Sequence, residues 1–156
     1  MKLYLLRHGH APSASEAGVA TDFERPLSEL GRADVRRSAE RLLERGGRPR
    51  LILHSPLLRA VQTAALAKDV LGPAQGAEAF GPLSNAAAAP ELFAALQKRL
   101  SGVPETLLVG HQPQLGELAA FLANQVLELR PAGLIALEIK PEAGAAVLWT
   151  ANPGSP

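Results

Sequence analysis

The stretch Leu3-Tyr4-Leu5-Leu6-Arg7-His8-Gly9 decides the reading of this chain. Leu3 to Leu6 is a short apolar run that ends in a polar Arg-His-Gly. A run of this length without alternation reads as a buried strand. The same punctuation recurs twice downstream. Leu51-Ile52-Leu53 runs into His54-Ser55, and Thr106 to Val109 runs into Gly110-His111.

Helical patterns separate these strands. Ser28 reads as an N-cap, with Glu29 in the first turn beside the positive end of the helix dipole. Val35, Ala39, Leu42 and Leu43 then share one face, and Gly46-Gly47 stops the helix. Ser55-Pro56 reads as N-cap and first position of a second helix. Val61, Ala64, Ala65 and Leu71 fall near its inner face, and Gly72 ends it. Glu78 to Phe80 reads as a brief strand and the alanine-rich Asn85 to Pro90 as a loop. Pro90 opens a helix carrying Leu92, Phe93, Leu96 and Leu100. Pro113 opens another carrying Leu115, Leu118, Ala119, Leu122 and Val126. Leu134 to Ile139 and Ala145 to Thr150, joined through Pro141-Glu142-Ala143-Gly144, read as a hairpin.

This alternation predicts an α/β fold in three layers. A mostly parallel sheet has helices on both faces, and the closing hairpin adds an antiparallel strand. In such sheets ligands gather beyond the carboxyl ends of the strands. Arg7-His8-Gly9, His54-Ser55 with Arg59, and Gly110-His111 all sit at such ends, so they are expected to converge.

Composition limits the function. The 156 residues predict one domain spanning 1–156. Net charge is +1, which argues against nucleic-acid binding through bulk charge. There is no cysteine, which excludes disulfides, thiolate metal sites and a cysteine nucleophile. The apolar run at the N-terminus is too short for a signal peptide, and no later segment is long enough to cross a membrane. A cytoplasmic protein without a membrane partner, metal or cofactor is expected.

The three polar clusters suit a phosphoryl group. Its several anionic oxygens call for forked cationic donors, which arginine supplies best. Arg7 and Arg59 are the candidates, and Arg59 adds a place in the first turn of a helix. Histidine is largely unprotonated near neutral pH, so His8 can act as a nucleophile if its second ring nitrogen is held by a backbone carbonyl. A protonated His111 could donate to a phosphoryl oxygen. Gly9 would let the backbone pass near the substrate. Taken singly, each motif is an ordinary strand-end turn or solvated helix residue. Their joint occurrence at three strand ends carries the argument.

Leu5-Leu6-Arg7-His8-Gly9 resembles the signature of the histidine phosphatase superfamily, the phosphoglycerate-mutase-like fold. Ser55 to Ala64, with Arg59 inside it, resembles the second motif of that family, and Val109-Gly110-His111 the third. The resemblance implies that His8 is phosphorylated and that Arg7, Arg59 and His111 bind phosphate. Asp22 to Arg32 and the C-terminal strand pair ending in Leu148-Trp149 resemble the phosphohistidine phosphatase branch. That branch removes phosphate from histidine on phosphotransfer domains of signalling proteins. Arg25 is then a candidate rim residue, with a surface ion pair as its alternative. The branch commonly has an acidic residue where this chain has His10, which is a candidate rim contact. His54 stands where a small residue is expected.

Many family members also have an acid between the second and third motifs that protonates a departing alkoxide. Here Leu83-Ser84-Asn85-Ala86-Ala87-Ala88-Ala89 contains no carboxylate. Glu78 and Glu91 flank it, and Glu91 reads as a helix-start residue. An alkoxide leaves poorly without an acid, whereas imidazole leaves readily because its phosphorylated ring already carries a proton. The expected substrate is therefore phosphohistidine on a protein. The alternatives are a phosphatase for small phosphate monoesters, with Glu78, Asp22 or His10 as acid, and a non-catalytic phosphate-binding or interaction module. A mutase is disfavoured by the missing acid and insert.

Overall fold

Leu3, Leu5 and Leu6 are excluded from solvent, and the segment around them, Lys2–Arg7, is strand β1 of a six-stranded sheet. The computed structural model describes residues 1–141 and 144–154. After β1 come α1 (Ala14–Ala17), α2 (Glu29–Glu44), β2 (Leu51–His54), α3 (Leu58–Leu71) and β3 (Ala77–Ala79). Then follow α4 (Ala89–Arg99), β4 (Glu105–Gly110), α5 (Gln114–Ala123), β5 (Leu134–Lys140) and β6 (Gly144–Ala151). The strands lie in the order β3-β2-β4-β1-β5-β6. The first four are parallel. β5 runs antiparallel to both β1 and β6.

Alternation along each strand builds the three layers. Leu3 and Leu5 face a core shared with Leu92 and Leu96 of α4 and Leu115 and Leu118 of α5. Tyr4 and Leu6 face the opposite core, with Ala39 and Leu42 of α2 and Ala60, Ala64 and Ala67 of α3. Burying one such leucine contributes roughly 1.5–3 kcal/mol. Leucine and alanine therefore do the work that aromatics perform elsewhere.

The ends of the helices differ from expectation in instructive places. Ser28 caps α2 by accepting from the Gly31 N–H, as its position implied. Ser55 does not cap α3, which starts at Leu58 with Leu57 as its N-cap. The Ser55 hydroxyl instead accepts from the Leu57 N–H at 3.2 Å and meets His111. The inner face of α3 is accordingly Ala60, Thr63, Ala64 and Ala67, while Val61 and Ala65 are exposed. α5 stops at Ala123, because Asn124 takes the left-handed conformation (φ 55°), and Val126 lies beyond it, exposed. The brief third strand is shifted one residue toward the N-terminus, to Ala77–Ala79. Glu142 and Ala143 of the expected hairpin turn lie outside the described residues.

The loop from β1 to α2 holds structure that periodicity did not reveal. Ser13 and Glu16 form a reciprocal capping box around the single turn of α1. Asp22–Glu24 forms a 3-10 turn, and Asp22 there pairs with Arg59 of α3. No helix among the described residues is long and apolar enough to cross a membrane.

Candidate active site

β2, β4 and β1 are neighbours, so their carboxyl ends meet at one edge of the sheet. The loops after them stay joined by the backbone. The His8 N–H donates to the Gly110 carbonyl and the Ser55 N–H to that of Val109, each at 3.0 Å. From this edge Arg7, His8 and His111 reach a cavity of about 430 Å³, joined by Arg59 from the first turn of α3. All four residues named for the site line it. Leu57, Asp22, Arg25, Ser84, Asn85 and Gln112 complete the wall.

His8 is 9 % exposed, and its Nδ1 lies 2.7 Å from the Gly9 carbonyl. A carbonyl only accepts, so Nδ1 carries the proton and Nε2 keeps its lone pair. Burial pushes the His8 pKa down to about 3, assisted by the charges of Arg59 and Arg7. The ring is therefore neutral at neutral pH, with a lone pair on Nε2 able to attack an electrophile. The His111 ring lies 5.1 Å away, centroid to centroid.

The partner of His111 is a side chain rather than a carbonyl. Burial, and then Arg59, push its pKa down to about 4, so the ring is neutral. Its Nε2 lies 2.7 Å from the Ser55 Oγ. That oxygen already accepts from the Leu57 N–H, which favours turning its own proton to His111. A hydroxyl donating to Nε2 puts the ring proton on Nδ1. This Nδ1 is buried and has no partner.

The same is true of one nitrogen on each arginine. Arg7 donates through Nη1 to the Leu129 carbonyl at 3.0 Å, and Arg59 through Nη1 to the Asp22 carbonyl at 2.9 Å. Both Nε atoms are buried without partners. Unpaired buried donors are costly and uncommon. Three of them, on residues lining one cavity that also holds a free imidazole lone pair, suit a tetrahedral oxyanion. Among the described residues no group of His, Asp and Glu is arranged to hold a metal.

Other named residues fall outside this arrangement. Gly9 does not line the cavity. A Cβ there would lie 2.7 Å from the Gly31 carbonyl oxygen and 2.8 Å from Val35 Cγ2, so glycine is required by packing on α2 rather than by the substrate. His10 is exposed, with Nδ1 2.8 Å from Ser28 Oγ, and is not part of the cavity wall. His54 turns Nδ1 to the Ser55 carbonyl. Arg25 is on the wall, with Nε, Nη1 and Nη2 engaged by the Pro12 carbonyl, Asp22 and the Ala11 carbonyl. Glu78 pairs with Arg99, and Glu91 accepts from the Ala88 N–H at the start of α4. Neither glutamate lines the cavity.

Two positioning residues escaped sequence reasoning. Ser55 looked like a helix cap, and no local pattern ties it to a histidine 56 positions on. Thr63 accepts from the Gly9 N–H at 3.1 Å and donates to the Arg59 carbonyl, which joins the His8 loop to α3. Its place on the buried face of α3 was the available signal.

The fold places this cluster in one polar cavity at the carboxyl ends of the parallel strands. Residues 3–79 match the sequence profile of the histidine phosphatase superfamily (branch 1). The chain is 33% identical over 123 residues to the phosphohistidine phosphatase SixA of Escherichia coli, covering 78% of this chain and 74% of that protein. It is 41% identical over 145 residues to an uncharacterized protein of Picosynechococcus sp., covering 88% and 84%. A solved structure of the protein histidine phosphatase SixA complexed with tungstate superposes with a TM-score of 0.88 at 26% identity, covering 98% of this chain and 97% of that one. The chain belongs to the histidine phosphatase superfamily. Its activity class is accordingly that of a phosphatase.

Proposed function

We propose that this protein hydrolyses the phosphorus–nitrogen bond of phosphohistidine on another protein, storing the phosphoryl group on His8. The carrying observation is the electrostatic composition of the cavity. It holds a free His8 Nε2 and three unpaired buried donors, while Asp22 is the only carboxylate on its wall among the described residues. Hydrogen bonding from Arg25, and then Arg59, holds Asp22 below the usual carboxylate range, so it is ionised and has no proton to give.

The chemistry then balances without an added acid. The Nε2 lone pair of His8 attacks phosphorus in line, while Arg7, Arg59 and His111 hold the equatorial oxygens. The substrate's P–N bond breaks, and its electron pair returns to an imidazole whose other nitrogen already bears a proton. His8, with its own proton on Nδ1, becomes an equivalent phosphoimidazolium. Water then attacks phosphorus, the second P–N bond breaks, and both water protons leave with inorganic phosphate. The two steps break bonds of the same kind.

Rapid quench with a ³²P-labelled phosphohistidine peptide should trap an acid-labile, alkali-stable label on His8. The peptide should also be cleaved at least tenfold faster than an alkyl phosphate. Comparable alkyl phosphate turnover would favour the small-ester reading, and full turnover without a covalent label would remove the His8 route.

A further inference from the structure

Asp22 is a poor choice for a site that only binds phosphate, since a carboxylate repels the oxygens the other groups attract. Yet the fold holds it in place from several sides. Oδ2 accepts from Arg59 Nη2 at 3.1 Å and Oδ1 from Arg25 Nη1 at 2.8 Å. Arg25 is in turn anchored on the Pro12 and Ala11 carbonyls. Arg59 has a second tie to this turn, through the Asp22 main-chain oxygen. That tie would survive loss of the carboxylate, so orienting Arg59 does not by itself require an acid here.

The carboxylate lies at the mouth. Its side chain is 64% exposed, against 9% for His8 on the floor. In-line attack from His8 expels the leaving group on the far side of phosphorus, toward that mouth. A reactive phosphohistidine presents a positive ring there, with an N–H on the nitrogen away from phosphorus. A phosphate ester presents a neutral oxygen substituent and a dianionic head.

We propose that Asp22 selects the leaving group: it accepts a hydrogen bond from the protonated ring nitrogen of the substrate histidine and keeps that proton on the ring while the P–N bond breaks. No proton is transferred to or from Asp22. The carboxylate favours the phosphoramidate, whose leaving ring is positive, and disfavours esters, which are dianionic with no compensating charge. This deepens the phosphohistidine reading and rests on it.

The test compares the wild type, Asp22→Asn and Asp22→Glu on a phosphohistidine peptide and on p-nitrophenyl phosphate. Asp22→Asn should lower kcat/KM on the peptide at least about tenfold more than on the aryl ester. The alkaline limb of the peptide kcat profile should move to lower pH in Asp22→Asn, because the bound ring loses its counter-charge. Asp22→Glu should restore most of the preference. Equal losses on both substrates, or no change in the alkaline limb, would overturn the assignment and leave Asp22 as a brace for Arg59. A wild type without preference for the peptide would overturn the phosphohistidine reading itself, and that failure is visible before any Asp22 variant is made.

Discussion

The floor and the rim of the cavity are built on opposite principles. On the floor, His8 and His111 are 9 % and 3 % exposed, and the nitrogens left unpaired there come from residues rooted at strand ends or the first turn of α3. The rim comes from two loops. The segment before α2 supplies Asp22 and Arg25, charged and bonded to each other. The segment before α4 supplies Ser84 and Asn85, which are neutral, with Asn85 tied to Gln114 and to the Gln112 carbonyl. Burial on the floor makes unpaired donors strong and keeps the His8 ring uncharged. Exposure at the rim allows charge to be varied at little cost in stability. Under the proposed function, such a division separates bond making from substrate choice.

His8→Ala is the largest test of that division. It should remove the covalent label and lower turnover on every substrate by roughly 10⁵-fold. A steady-state assay with phosphohistidine peptide and aryl phosphate would show it. Retained activity would mean that the floor does not carry the chemistry.

Arg59→Lys keeps the charge but loses the fork and its unpaired Nε. Turnover should fall on the order of 10²–10³-fold on both substrates, the effect of removing one oriented donor. A loss confined to one substrate would erase the line between floor and rim.

Acid pH probes the burial of the floor. His8 and His111 titrate near 3 and 4 in the folded chain, whereas an unfolded histidine takes its proton near 6.5. Between about pH 6.5 and 3 the unfolded state therefore binds protons that the folded site refuses, and stability falls as pH falls. Urea unfolding at pH 7 and pH 4.5 should show that drop, and His8→Gln should reduce it. An unchanged drop would mean that His8 is not desolvated. The activity profile of the free enzyme should stay level for these two groups down to about pH 5.

The smallest effect is expected at the rim. Arg25→Gln loosens the tie among Asp22, Pro12 and Ala11 and should raise KM several-fold with kcat nearly unchanged. A fall in kcat comparable to that of Arg59→Lys would move Arg25 onto the floor.

Much of this division was legible before folding. Leu3 to Leu6, Leu51 to Leu53 and Thr106 to Val109 announce buried strands because an uninterrupted apolar run has few other places to go. The polar residues after those runs had to lie at strand ends, and parallel order put those ends together. Positions whose meaning depends on a distant partner were harder to read. Ser55 has the local chemistry of a cap, and only His111 across the β2–β4 edge gives its hydroxyl a different task. Gly9 looked like room for a substrate, but the nearby space belongs to Gly31 and Val35 of α2. Asp22 lies in a loop without periodicity, and nothing local points it at Arg59.

Residue order and periodicity alone determined the α/β layering, the buried strands and the identities of the two histidines and two arginines at the site. Those follow from short-range rules, in which apolar spacing and turn residues act over a few positions. The tertiary structure alone decided which ring nitrogen is free, which donors lack partners and where Asp22 stands on the cavity wall. Those properties arise from burial and from contacts between segments far apart in the chain, which no local pattern encodes.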